Sequence, residues 1–440
     1  MRVRTAERRP VAERLPLTLR TYRALTTAAT PFARLWLANR LRKGKEMAAR
    51  LPERRGEAGR SRPPGPLVWA HGASVGELVA ILPLLDRIRS HGFHVLVTTG
   101  TVTSARLAER RLPPGAFHQF VPLDSPHYAA RFLDHWRPSL ALFAESDLWP
   151  NLILSTADRD IPLILVNGRL SERSFNRWQR APTTIAALLS RFDLCLAQSL
   201  PDAERYGALG APRVVTTGNL KLDVPAPPAD PQKLAALRAA VQGRPVIAAA
   251  STHAGEEAIV IEAHRRLREA FPNLLTVLAP RHPERGAGIV DIAAALGLTA
   301  VMRSRGHLPD RGTDVYVADT IGELGLVYRI APIVFMGGSL VRHGGQNPIE
   351  AAKLGAAILH GPHVWNFGDI YAALNRSHGA ETIGDAGRLA ACIAAWLDDA
   401  RARKAAAEAA QKTIARLGGA FDRTFGALEP YLLQLHLETR

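Results

Sequence analysis

Cysteine is almost missing from this chain. Cys195 and Cys392, far apart in 440 residues, cannot make a disulfide framework or a cysteine-built zinc site, and they suit the cytoplasm. Charged residues are few as well, at 22%, against 47% hydrophobic, with a mean hydropathy of -0.04. That balance excludes wholesale disorder and leaves apolar surface for cores. A run of about 20 uncharged apolar residues, the length a spanning helix needs, is absent from the arginine-rich start. Its longest uncharged stretch, Ala24 to Ala33, is interrupted by Pro31 and closed by Arg23 and Arg34. No small-residue cleavage site follows a clean apolar core, so a secretory signal is not expected. Short repeats are lacking too, and the length implies at least two packed units.

Basic charge is abundant, and it is concentrated. The net charge is +16, and residues 1–62 hold 17 basic against 5 acidic residues, three-quarters of the excess. A nucleic-acid binder spreads such charge over a folded face or a reading helix, and no reading motif is present. A basic terminal segment points instead to an anionic membrane surface. Between Leu15 and Leu41 apolar residues (Leu17, Leu19, Leu25, Phe32, Leu35, Trp36, Leu37) alternate with arginines. The pattern suits a helix lying in the headgroup region. A tilted span and a basic helix packed on the protein itself are the alternatives.

From Leu67 onward short apolar runs alternate with helical patterns. Expected strands are Leu67–Ala70, Val95–Thr98, Leu140–Ala144, Pro162–Val166 and Leu194–Ala197. The densest proline run, Pro225 to Pro231, can be neither helix nor central strand and reads as a linker. The pattern then restarts with Val246–Ala250, Leu274–Ala279, Val315–Ala318, Ile333–Met336 and Ala356–Leu359. The fold class is therefore α/β, with two parallel-sheet domains expected to face each other across a cleft and ligands expected at the carboxyl ends of the strands. The divisions are 1–62, a basic segment; 63–224, the first domain; 225–231, the linker; and 232–440, the second domain.

Four stretches after expected strands carry polar chemistry in the first half. Trp69 to Glu77 turns tightly into a helix, and Glu77 in its first turn either takes a proton from an incoming hydroxyl or merely complements the helix dipole. Glu145-Ser146-Asp147-Leu148-Trp149-Pro150-Asn151 places two carboxylates beside an aromatic, for a sugar, a cation or an ordinary cap. Asn167 to Ser174 is the third, and Gly218 to Lys221 lies just before the linker. In the second half, Arg281 and His282 close a strand. Gly337-Gly338-Ser339 and Gly344 to Glu350 form a glycine-rich loop leading to a helix at Asn347-Pro348-Ile349, where free N–H groups suit a phosphate and Glu350 suits ribose hydroxyls. This loop is neither a Walker loop nor a dinucleotide fingerprint, which disfavours ATP hydrolysis and nicotinamide chemistry. His343, His360 and His363 lack metal-ligand spacing, so no metal is expected.

Taken in order, these stretches resemble the bacterial Kdo transferase family, which attaches 3-deoxy-D-manno-octulosonic acid (Kdo) to lipid A precursor. The likeness runs from about Leu17 to near the end and includes Arg42-Lys43-Gly44-Lys45-Glu46, His71 to Glu77, Glu145 to Asn151, Leu170 to Ser174, Pro280 to Arg285 and Gly337 to Glu350. It implies a GT-B fold of two Rossmann-like domains, an acceptor domain and a CMP-sugar domain, with the last helix crossing back to the first. It also implies CMP-Kdo as donor, lipid A precursor as acceptor, no cofactor, and attachment to the cytoplasmic face of the inner membrane. Glu77 matches the proton acceptor, and Glu145 and Lys221 match positions of transition-state support. Arg281, His282, Gly322-Glu323-Leu324, Gly337 to Ser339 and Asn347 to Glu350 match the CMP site. Gly72 stands for the usual Ala, Ser146-Asp147 for Thr-Glu and Gln346 for the more common His. The alternatives are another GT-B enzyme, such as a UDP-sugar transferase or epimerase, and a non-catalytic protein of anionic membranes.

Overall fold

Trp69 sits between Val68 and Ala70 in the first strand, and all five residues of that strand are buried. Leu67 and Trp69 join one core cluster and Val68 and Ala70 another, so the strand is covered on both faces. That is why it reads as a continuous apolar run rather than an alternation. The computed structural model describes residues 15–145 and 147–438. It divides into two units, one formed by the chain up to Val224 together with the chain from Gly418, the other by Pro225–Leu417.

Among the described residues the first unit holds a seven-stranded parallel sheet: β1 Leu67–His71, β2 His94–Thr99, β3 Ala116–Phe120, β4 Leu140–Ala144, β5 Leu163–Gly168, β6 Leu194–Ala197 and β7 Val214–Thr216. Its order is β3-β2-β1-β4-β5-β6-β7. The winding reverses between β1 and β4, and the loops after those two strands flank the crevice where such sheets take ligands. The second unit holds β8 Val246–Thr252, β9 Leu275–Pro280, β10 Ala300–Met302, β11 Val315–Val317, β12 Ile333–Met336, β13 Ala357–His360 and β14 Ala380–Thr382. They run parallel in the order β10-β11-β9-β8-β12-β13-β14, and the reversal falls between β8 and β12.

The last helix, Ala420–Glu438, belongs to the first unit. Ala420, Phe425, Leu428, Leu432 and Leu435 share a core cluster with Val68, Ala70 and Leu84. The Asp223 carboxylate fixes its start by accepting from the N–H groups of Gly419 (2.8 Å) and Phe421 (2.6 Å).

The basic residues before Leu15 lie outside the described residues. From Leu17 the chain forms helices Leu17–Ala29 and Ala33–Arg42 around a short 3-10 turn. Their apolar residues divide into two sets. Leu37 is 1% exposed, and Leu19 is buried in the same cluster as Trp69. Leu35 is 72% exposed, and Leu17, Leu25, Phe32 and Trp36 are exposed with it. The segment thus packs on the first unit and also presents an apolar face. Among the described residues no helix is long and apolar enough to cross a membrane. Glu46, from the Arg42 to Glu46 motif, is buried between two guanidinium groups, Arg40 Nε at 2.7 Å and Arg54 Nε at 2.9 Å. Arg54 donates onward to the carbonyls of Gly100 (2.6 Å) and Val121 (3.2 Å), just past β2 and β3.

Candidate active site

Glu77 stands in the first turn of helix Val75–Ser90, which starts at the β1 corner. Ser74 caps the helix by accepting from the Glu77 N–H, and its hydroxyl donates to Glu77 Oε1 at 2.8 Å. Glu77 Oε2 accepts from the Ala73 N–H at 2.7 Å. Ala73 is steadied in turn, its carbonyl accepting from Gly100 N–H at 3.0 Å, so the Arg54 anchor reaches Glu77 through the backbone. Burial pushes the Glu77 carboxyl up to about 7, with Glu145 and Asp147 adding to the rise and the Ser74 and Ala73 hydrogen bonds opposing it. A carboxyl held in place and poised near neutrality has the properties of a general base. An alanine Cβ at Gly72 would stand 3.3 Å from Glu77 Cβ, so glycine there relaxes the fit around Glu77.

The opposite wall of the reversal is the loop after β4. Glu145 adopts left-handed backbone geometry (φ 59°), an uncommon and strained choice for its side chain, and Asn167 at the end of β5 does so too (φ 54°), a residue type that tolerates it. Glu145 Oε1 meets Lys221 Nζ at 2.5 Å, with side chains 14% and 20% exposed, and it also faces Asn167 Nδ2 at 3.4 Å. Asn167 Oδ1 accepts from Leu220 N–H at 2.9 Å, which ties the lysine's turn to the same strand end. Tyr206 supports the bend by donating to the Glu145 carbonyl at 3.2 Å. Burial raises Asp147 too, with Glu145 adding. Ser146 lies outside the described residues. Asn151 serves structure: its Nδ2 donates to the Asp124 carbonyl at 2.8 Å, while the Asp124 carboxylate receives the first N–H groups of helix Pro150–Ala157. His71, fully buried, is driven down to about 4 by desolvation and stays neutral at physiological pH.

In the second unit Arg281 and His282 are exposed at the end of β9. Glu323 is held by the Arg303 guanidinium, by Lys233 Nζ at 2.8 Å and by the Thr320 hydroxyl at 2.6 Å, and the Arg303 hydrogen bonds above all bring it down to about 2. Gly322 (φ 85°) and Leu324 flank it, the latter opening helix Leu324–Ile330. Gly337 sits so close to β8 that a Cβ there would lie 2.5 Å from the Ser251 carbonyl, hence glycine. The helix after Asn347 and Pro348 is only five residues, Ile349–Lys353, and the Asn347 side chain already accepts from the Ile349 N–H at 3.0 Å. Burial raises the Glu350 carboxyl and Lys353 opposes the rise. Of the three clustered histidines, His360 is buried against Asn375 Oδ1 (3.0 Å), His363 lies beside Trp365 and His343 stacks on His253. Among the described residues no group of three or more His, Cys, Asp and Glu could hold a metal ion.

Reading the sequence left out His253 and Glu256, which the fold places at the reversal of the second sheet. The signal was present: His253-Ala254-Gly255-Glu256 follows β8 much as Gly72 to Glu77 follows β1.

A family model described as 3-deoxy-D-manno-octulosonic-acid transferase (Kdo transferase) matches residues 49–224. The 3-deoxy-D-manno-octulosonic acid transferase of Haemophilus influenzae is 36% identical over 390 residues, which span 87% of this chain and 91% of the relative. The chain belongs to the Kdo transferase family. A second Kdo transferase, from Bordetella pertussis, is 36% identical over 91% of the chain and 96% of its own length. Among solved structures, a glycosyltransferase from Rickettsia africae aligns with a TM-score of 0.59 at 12% identity, covering 85% of this chain and 99% of its own. A UDP-GlcNAc 2-epimerase from Neisseria meningitidis aligns at 0.57 and 12%, covering 84% and 100%. At such identities the likeness establishes the fold, GT-B, and nothing about substrate. As a member of that family, the protein is a glycosyltransferase.

Proposed function

We propose that this Kdo transferase moves Kdo from CMP-Kdo to the lipid A precursor, a tetraacyldisaccharide 4'-bisphosphate, by an inverting single displacement at the cytoplasmic face of the inner membrane. The acceptor oxygen forms a bond to the anomeric carbon of Kdo as the bond from that carbon to the CMP oxygen breaks. The acceptor proton passes to Glu77, and CMP departs with the electron pair. One base suffices, because a single displacement with a good leaving group needs no second carboxylate as nucleophile. The observation that carries this reading is the Glu77 carboxylate, gripped by Ala73 and Ser74 and raised to about 7 at the β1 corner. Lys221, held by Glu145, supports charge in the transition state. Arg281 and His282 receive the phosphate, while Gly322 to Leu324 and Asn347 to Glu350 hold the cytidine and ribose. Neutralisation by these cations replaces a metal ion. Mass spectrometry of products from purified protein, CMP-Kdo and the tetraacyl precursor tests the assignment. A mass gain of whole Kdo units, undiminished by chelator, is expected; release of UDP from UDP-sugars instead would overturn it.

The same reading places the apolar face of the amino-terminal helices in the headgroup region. Leu17, Leu25, Phe32, Leu35 and Trp36 are exposed beside Arg20, Arg34, Arg42 and Lys43, the mixture that binds anionic bilayers. Phe32→Ser combined with Leu35→Ser and Trp36→Ser is expected to abolish co-flotation with phosphatidylglycerol vesicles. Since the three side chains are exposed, thermal stability should change little, and unchanged flotation would remove the membrane-docking role.

A further inference from the structure

The amides of the glycine-rich loop are already engaged. Gly337 N–H donates to the Ala250 carbonyl at 2.8 Å. Gly338 N–H donates to Glu256 Oε2 at 2.7 Å, and Ser339 and Leu340 N–H groups donate to Glu256 Oε1, each at 2.9 Å. A fourth amide, that of His253, reaches Glu256 Oε2 at 2.9 Å. Glu256 is fully buried, so this carboxylate fills the kind of amide nest that elsewhere cradles an external anion. A phosphate brought to these amides would have to displace a buried charge of its own sign.

Side chains gather at the same end of the sheet, His253 largely buried and His282 with the Glu284 carboxylate 3.7 Å away. β9, β8 and β12 are neighbours, and after them come Arg281 and His282, then His253, then His343. The His253 ring stacks on His343 at 3.9 Å and meets His282 edge-on at 6.0 Å. Arg281 makes no ion pair among the described residues, and its charge is felt at His253. Burial and the charges of His343, His282 and Arg281 hold His253 below its usual range, and Glu256 alone opposes them. An arriving anion opposes that depression and favours the charged form of His253. Gln346 Nε2 lies 3.0 Å from His253 Nε2, and an amide side chain can offer its NH2 to a neutral ring or its carbonyl to a charged one.

We propose that His253 and His343 join Arg281 and His282 in receiving the phosphodiester of the nucleotide donor, and that Glu256 is a positioning residue that shapes the loop and withholds its amides from that role. The proposal rests on the reading that Pro225–Leu417 binds a cytidine nucleotide. The test is calorimetric titration of the full-length protein with the methyl ester of CMP, a phosphodiester whose single charge does not titrate, and with cytidine, at about pH 6 and about pH 8. Wild-type protein is expected to bind the ester more tightly at the lower pH and cytidine equally at both. His343→Gln, at an exposed position, should weaken the ester by about tenfold at the lower pH and flatten its pH dependence, with cytidine unaffected. Arg281→Gln should weaken the ester equally at both pH values. If His343→Gln binds the ester as wild type does, with the same pH dependence, the receptor assignment falls while the donor reading stands. If wild type binds neither cytidine nor the ester, the donor reading falls and takes the proposal with it.

Discussion

Glu77→Gln leaves a folded protein whose kcat is lower by about two to four orders of magnitude, the usual contribution of a positioned base. Gln preserves the cap, because its carbonyl accepts from the Ala73 N–H while its amide donates to the Ser74 hydroxyl, the same two groups that grip the carboxylate. In the wild type, kcat/KM falls as pH drops through about 7, where the base takes up a proton, and this acid limb vanishes in the variant. Stability moves the opposite way. The carboxyl is raised in the fold from an ordinary 4.5 to about 7, so the folded state binds the proton more tightly than the unfolded chain. Its contribution is fully present below about pH 4.5 and is lost as pH rises through about 7. Above that the ionised, half-buried group costs on the order of 2–3 kcal/mol. Glu77→Gln is therefore expected to raise Tm by a few degrees at about pH 8 and to leave it unchanged at about pH 4. A thermal scan at both pH values checks this, and a lower Tm at alkaline pH would reassign Glu77 to a structural cap.

Lys221→Met has the second largest effect. It strips the cation from a short, largely buried ion pair and leaves Glu145 without its 2.5 Å partner, at a cost of about 3 kcal/mol. Glu145 and Asp147 both raise Glu77, so an uncompensated Glu145 drives the base higher. The acid limb of the pH–rate profile should move to higher pH, and turnover at neutrality should fall by more than about tenfold. Adding Glu145→Gln removes the stranded charge, so the double variant regains most of the lost stability but not the rate. Recovery of both together would mean that the lysine only balances its partner. An acid limb that stays put in the single variant would show that the pair does not tune the base.

What the sequence disclosed follows burial. The ten expected strands are central or nearly so, and the structure contains all of them within two residues at each end. The four it hid, β3, β7, β10 and β14, are the outermost strands of the two sheets. Ala116-Phe117-His118-Gln119-Phe120 carries polar residues, and β7, β10 and β14 are three residues each, too short for any periodicity to register. Side chains at the site divide in the same way. Glu145 follows the apolar strand β4 and Glu77 opens the helix after β1, so both could be singled out, whereas Lys221 stood out only by its place before the proline run, its own strand β7 being one of the hidden four. The engagement of the loop amides by Glu256 could not, because Glu256 and Gly338 are 82 positions apart and meet only through the β8–β12 pairing. Leu19 and Leu35 show the same limit within one amphipathic pattern, one buried and the other exposed, since period alone does not say which face has a partner.

The return of the chain to its first unit sets a timetable for biosynthesis. Leu84 and the β1 residues Val68 and Ala70 emerge from the ribosome early, yet the helix that covers them is made only after both sheets. The middle unit, continuous from Pro225 to Leu417, is complete before its predecessor can close. Until residues 420–438 are released, one apolar face of the nascent sheet stays uncovered and Asp223 lacks the two amides it later receives. A ribosome stalled before residues 420–438 are released would therefore carry a finished second unit and an unfinished first one, with its sticky face open to whatever chaperone reaches it first.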